Sequence, residues 1–144
     1  MTSRPSPRLA AIVDALPLRP DSRVLEIGCG PGVAARAVAD RLDTGFVLAV
    51  DRSATAVEQA RRAGAAQIAA GRLAVRQVAA EDFVLLDGEE PYDLVFAVRV
   101  GALDGRHPEA GRRALTRIAE ATTPTARLFV DGGAPLRELT VPRA

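Results

Sequence analysis

"VLEIGCGPG", residues 24–32, is an apolar run closed by glycines at 28, 30 and 32. Its first half has the length of a buried strand. From Val33 to Leu42, apolar residues at 33, 34, 37, 38 and 42 repeat with helical period. Strand, bare turn and helix in that order place a ligand at the carboxyl end of the strand. In the dinucleotide fingerprint G-x-G-x-x-G, the third glycine lets helix and strand approach, and pyrophosphate rests on the helix N-terminus. Here Val33 stands where that spacing requires glycine, which disfavours a nicotinamide dinucleotide and hence an NAD-dependent oxidoreductase. Glu26, two residues ahead of Gly28, adds a carboxylate that would repel pyrophosphate and attract a cationic ligand group.

On the N-terminal side, apolar residues at 9, 12, 13 and 16 predict a packing helix over about 8–16, stopped by Pro17. On the C-terminal side, "TGFVLAVD" (44–51) is a second strand ending in Asp51, and Ser53 is a candidate N-cap for an alanine-rich helix running to Gly64 or Gly71. "LAVRQVA" (73–79) predicts a third strand, followed by "AEDF". "YDLVFAVRV" (92–100) predicts a fourth, apolar on both faces as a central parallel strand is. Pro108 suits the first turn of a helix with a stripe at 110, 114, 115, 118 and 119, which "TPT" ends. "ARLFVD" (126–131) is the fifth strand, and 132–144 is left as a tail. Alternating β and α elements imply an α/β fold, a Rossmann-like, mostly parallel sheet of about five strands with helices on both faces. At 144 residues the chain has the size of one domain, 1–144.

Three acids then fall at strand ends: Glu26 ahead of the turn, Asp51 after the second strand, and Glu81 with Asp82 after the third. A carboxylate in the position of Asp51 can accept both hydroxyls of a ribose. The set describes a pocket for an adenosine that carries an amino-acid moiety. "VLEIGCGPG", Asp51 and "AEDF" together resemble class I S-adenosylmethionine-dependent methyltransferases over roughly residues 8–131. That resemblance implies the strand order 3-2-1-4-5, S-adenosyl-L-methionine as cofactor and methyl transfer to an acceptor. It also implies roles: Glu26, Gly28, Cys29 and Gly30 around the methionine part, Asp51 on the ribose, and Arg52 beside the adenine. Ala80, Glu81 and Asp82 would line the adenine edge, and Val98, within Ala97–Arg99, would approach the sulfonium.

No acceptor motif of the Asn-Pro-Pro-Tyr kind is present, so a small-molecule acceptor is the expectation. His107, the one histidine, lies on the expected substrate side and is the candidate general base, although a histidine before proline at a helix start is more often an ordinary loop residue. Asp51 could instead cap a helix, and Cys29 could serve through its backbone alone. Lys+Arg of 19 against Asp+Glu of 18 leaves +1, which gives no reason to expect nucleic acid or an anionic membrane as partner. With 3% aromatic residues and no Trp, base-stacking platforms are poorly supplied. One cysteine excludes an internal disulfide and a cysteine-rich zinc site, and no apolar run is long enough to span a bilayer, so a cytoplasmic protein without metal is expected.

The resemblance also marks a departure, a short form lacking the family's usual C-terminal antiparallel strands. Left bare, the fifth strand would be an open sheet edge, to be covered by a homodimer, by a partner chain, or by "RELTV" folding back. A cofactor-binding module without catalysis, or one dependent on a partner, is the alternative reading.

Overall fold

The computed structural model describes residues 4–143. Its centre is a six-stranded sheet in the order β3-β2-β1-β4-β5-β6. β1 (Arg23–Ile27) lies between β2 (Phe46–Asp51) and β4 (Tyr92–Ala97), parallel to both. β3 (Leu73–Gln77) and β5 (Thr122–Asp131) extend the parallel sheet on either side.

The two-residue period of the strands divides the core in two. Val24, Ala49, Leu94 and Phe96 join the side chains of α1 (Pro7–Ala15), α2 (Val33–Ala39) and α3 (Ala54–Ala63). Leu25, Ile27, Leu48 and Val95 join those of α5 (Pro108–Glu120) and of the 3-10 turn Ala80–Asp82 on the opposite face. Ala34, Ala35 and Ala39 keep α2 slim enough to lie close on the strands. Each wholly buried Leu or Phe here contributes roughly 1.5–3 kcal/mol. Glu26 sits in β1 on the Val24 side of the sheet, so a carboxyl interrupts an otherwise apolar layer.

Several boundaries differ from the sequence expectation, each for a local reason. The helix after Ser53 is two helices, α3 and α4 (Ala65–Ala69), divided at Gly64, and the Ser53 hydroxyl accepts the Ala56 N–H as its N-cap. β4 ends at Ala97, because Arg99 takes φ +58 and turns the chain out of the sheet. The "TPT" segment lies inside β5 instead of ending α5: the helix stops at Glu120 and the Thr122 hydroxyl donates to the Ile118 carbonyl (2.8 Å). Pro124 is compatible with that strand because the pairing with β4 jumps there, from Tyr92–Thr122 to Leu94–Arg127.

The sheet has six strands where about five were expected. Within the expected tail, β6 (Leu136–Leu139) returns antiparallel to β5, pairing Leu128 with Leu139 and Asp131 with Leu136. Over Leu128–Asp131 the β5 edge is thus covered by the chain's own C-terminal segment. Beyond β6, Val141 is buried, and the Arg143 guanidinium donates to the Ala119 and Ala126 carbonyls and to the Thr122 hydroxyl (3.4, 3.5 and 3.3 Å). Among the described residues no helix is long and apolar enough to cross a membrane.

Candidate functional site

The turn after β1 is built on three left-handed glycines, Gly28 (φ +70), Gly30 (φ +54) and Gly32 (φ +84). Two of them also answer to crowding. A Cβ on Gly28 would lie 2.6 Å from Val100 Cγ2, and one on Gly32 would lie 3.0 Å from the Ala60 Cβ of α3. Gly32 thus lets α3 lie close against the turn, a different contact from the helix-on-strand packing of the dinucleotide fingerprint. The turn is pinned from within. Cys29 N–H donates to the Val50 carbonyl (2.9 Å), Gly32 N–H to the Cys29 carbonyl (3.0 Å) and Gly30 N–H to Asp51 Oδ2 (2.9 Å). Asp51 Oδ1 accepts the Ser53 N–H (2.9 Å). A carboxylate has about four acceptor sites, so Asp51 holds the turn and keeps capacity for a ligand's hydroxyls.

Glu26 lies beneath this turn, 3% exposed, and its Oε1 has no hydrogen-bond partner. Burial, and then the negative charge of Asp51, push its carboxyl up to about 8, against a backbone hydrogen bond at Ala35 that pulls the other way. At neutral pH it is a neutral acid. Burial also drives the Cys29 thiol up to about 12, with Glu26 and Asp51 adding to the effect. A thiol that stays protonated is no nucleophile.

At the carboxyl ends of the strands opens a cleft of about 830 Å³. The expected residues Gly28, Asp51, Arg52, Ala80, Glu81 and His107 all line it. Glu26, Cys29, Gly30, Asp82 and Val98 do not: the first two are buried under the turn, Asp82 faces solvent, and Val98 is half-buried behind the cleft wall. Reading by sequence missed Val100, which covers Gly28; Arg113, 3.9 Å from Glu81; and Asp131. Asp131 ends β5 as Asp51 ends β2, a signal the sequence carried. Its Oδ1 accepts the Arg99 N–H and its Oδ2 the Arg8 guanidinium, both at 2.9 Å. These contacts hold Arg99 in a left-handed conformation that costs about 1–2 kcal/mol.

The far wall of the cleft is the segment from Arg99 to Ala102 together with the start of α5. His107 stands at the N-cap position of α5 but makes no side-chain cap, and its ring lies against Gly101. Gly111 fixes the seating of α5, since a Cβ there would run into the Ala102 carbonyl oxygen. Gly111→Ala is therefore expected to push α5 from the wall and cost roughly 1–3 kcal/mol of stability. Urea unfolding measures it, and a midpoint equal to that of the parent would show that the helix shifts freely.

The family described as "Methyltransferase domain" matches residues 24–125, a span from β1 into β5. Over 92% of its length the chain is 34% identical to a protein-L-isoaspartate O-methyltransferase of Methylorubrum populi, covering 57% of that relative. Over 65% it is 33% identical to a trans-aconitate 2-methyltransferase of Streptomyces avermitilis, covering 33% of it. The chain thus spans about half or less of the length of these curated relatives. In fold it resembles an S-adenosylmethionine-dependent methyltransferase from Thiobacillus denitrificans in complex with S-adenosyl-L-homocysteine. The TM-score is 0.67 at 24% identity, over 90% of this chain and 50% of that one.

Proposed function

The chain belongs to the methyltransferase domain family, and from that premise we propose that it binds S-adenosylmethionine in the cleft and passes the methyl group to a small-molecule acceptor. The observation that carries this reading is the pairing of a bare left-handed turn, spaced wrongly for pyrophosphate, with the Asp51 carboxylate beside it. The residues present fit such a cofactor. Asp51 has acceptor capacity for the ribose hydroxyls, Arg52 stands beside the place for the adenine, and Ala80 and Glu81 edge it, with Asp82 turned to solvent outside. Gly28, Cys29 and Gly30 give the methionine part close approach to the backbone, with Val98 behind the wall that faces it. The Cys29 and Gly30 N–H groups are already engaged, so closeness is what those residues offer. Glu26, protonated at neutral pH and buried under the turn, does not line the cleft, so its part is to support the turn from below.

When bound, the cofactor supplies a methyl group on positively charged sulfur, open to in-line displacement. The chain's part is to hold the acceptor against that methyl, which accounts for much of the catalysis in such transfers. His107 lines the cleft, which supports it as the candidate to take a proton from an acceptor that arrives protonated. A small-molecule acceptor agrees with one of the two relatives, which is named for a small acid; the other is named for a residue of a protein. The cytoplasm is the proposed location, consistent with one buried free thiol.

Calorimetry with S-adenosylhomocysteine and, separately, NADH tests the reading. The homocysteine nucleoside is expected to bind and NADH to give no heat. Binding of NADH alone would reverse the assignment.

A further inference from the structure

Four arginines line the cleft: Arg52, Arg99, Arg106 and Arg113. Arg106 is paired with Asp104 (2.8 Å), and Arg113 stands 3.9 Å from Glu81. Neither Arg52, which follows β2 on the side assigned to the adenine, nor Arg99 has an acidic partner for its guanidinium among the described residues, and of the two only Arg99 has a strained backbone. It is the one non-glycine residue described at positive φ, and its N–H is fixed by Asp131, which Arg8 of the first helical turn holds in place. Asp131 is largely buried, its side chain 13% exposed. Strained backbone that the surrounding structure over-determines marks a side chain whose position matters.

The strand order gives that position meaning. β3 and β4 lie on opposite sides of β1, so Glu81 follows one side of the cleft and Arg99 the other, where the acceptor would meet the methyl group. A cationic sulfur beside an unpaired guanidinium is unfavourable unless an anion lies between them.

We propose that the acceptor is a carboxylic acid whose carboxylate is gripped by the Arg99 guanidinium, with Asp131 as the positioning residue that aims it. The proposal rests on the cleft being the S-adenosylmethionine site. The guanidinium fork matches a carboxylate in two parallel hydrogen bonds. With Arg106 paired to Asp104, and Arg52 away at the end of β2, the charge available at the end of β4 is that of one cation, which suits a carboxylate better than a phosphate dianion.

Calorimetry on the protein saturated with S-adenosylhomocysteine tests this, with succinate, citrate and benzoate as probes and with succinamide and inorganic phosphate as controls. At least one carboxylate is expected to bind, and the two controls to give no heat. Arg99→Gln should weaken that carboxylate by at least about tenfold, the loss of one charge-assisted contact. Arg99→Lys should restore part of it, because the charge returns without the fork. Asp131→Asn should weaken the same probe while leaving the affinity for the homocysteine nucleoside in place. A fall in nucleoside affinity in Arg99→Gln would assign Arg99 to the cofactor's own carboxylate and overturn the proposal. So would preferential binding of phosphate, carboxylate affinity indifferent to residue 99, or no carboxylate binding to the loaded protein. Failure of the parent chain to bind the nucleoside at all would remove the cofactor reading first, and this proposal with it.

Discussion

Glu26→Gln is expected to make the protein more stable in alkaline solution and to remove most of the pH dependence of its unfolding between about 4.5 and 8. The native carboxyl titrates at about 8, whereas its ordinary value is 4.5. Below 4.5 the folded and unfolded chains both hold the proton. Between the two values only the folded chain holds it, so stability falls as the pH rises; above 8 both have lost it and the loss is complete. At about 1.4 kcal/mol per pH unit, the span corresponds to an upper bound of about 5 kcal/mol. Glutamine has the same shape and no charge to bury. Urea midpoints of parent and variant should therefore coincide near pH 4 and diverge steadily toward pH 8.5. Parallel curves across that range would mean that Glu26 ionises freely in the folded state.

Asp51→Ala is expected to weaken both the fold and the cofactor site, and the size of each effect separates the two roles of this carboxylate. It accepts the N–H groups of Gly30 and Ser53. Hydrogen bonds to a charged group are worth about 1.5–3 kcal/mol each, and partial exposure of this pair places the expected loss of stability at roughly 2–4 kcal/mol. The ribose contacts proposed for it add a separate loss in affinity for S-adenosylhomocysteine of roughly 1–3 kcal/mol. Asp51→Asn keeps one carbonyl acceptor and should fall between parent and alanine on both scales. Calorimetry at a temperature where the variants remain folded reads the second effect. Unchanged affinity in a destabilised variant would make Asp51 a clamp for the turn and nothing more.

What was legible in the sequence was local. The glycine spacing, the helical stripe after Pro108 and the acid closing β2 each depend on residues within about one turn or one strand, and each forms as read. The end of β4 was not legible, because Val98 and Val100 continue the apolar run. What turns the chain at Arg99 is Asp131, distant in sequence and adjacent only once β4 and β5 pair. β6 is four residues long and gains its place from the antiparallel register with β5, which no periodicity announces. Glu26 is a different case. Strand alternation puts it on the face of Val24, under α2 and away from the open cleft, and the two-residue period carried that information.

The arrangement beyond β6 bears on colloidal behaviour. β5 is ten residues long, yet β6 pairs with only its last four, Leu128–Asp131. The first part would present raw carbonyls to any neighbouring molecule, a template for sheet-to-sheet adhesion. Arg143 donates to one of those carbonyls, that of Ala126, and anchors on the Ala119 carbonyl of α5, and Pro124 removes one donor from the margin. The guard on this margin is thus a proline and an arginine that take no part in the cleft.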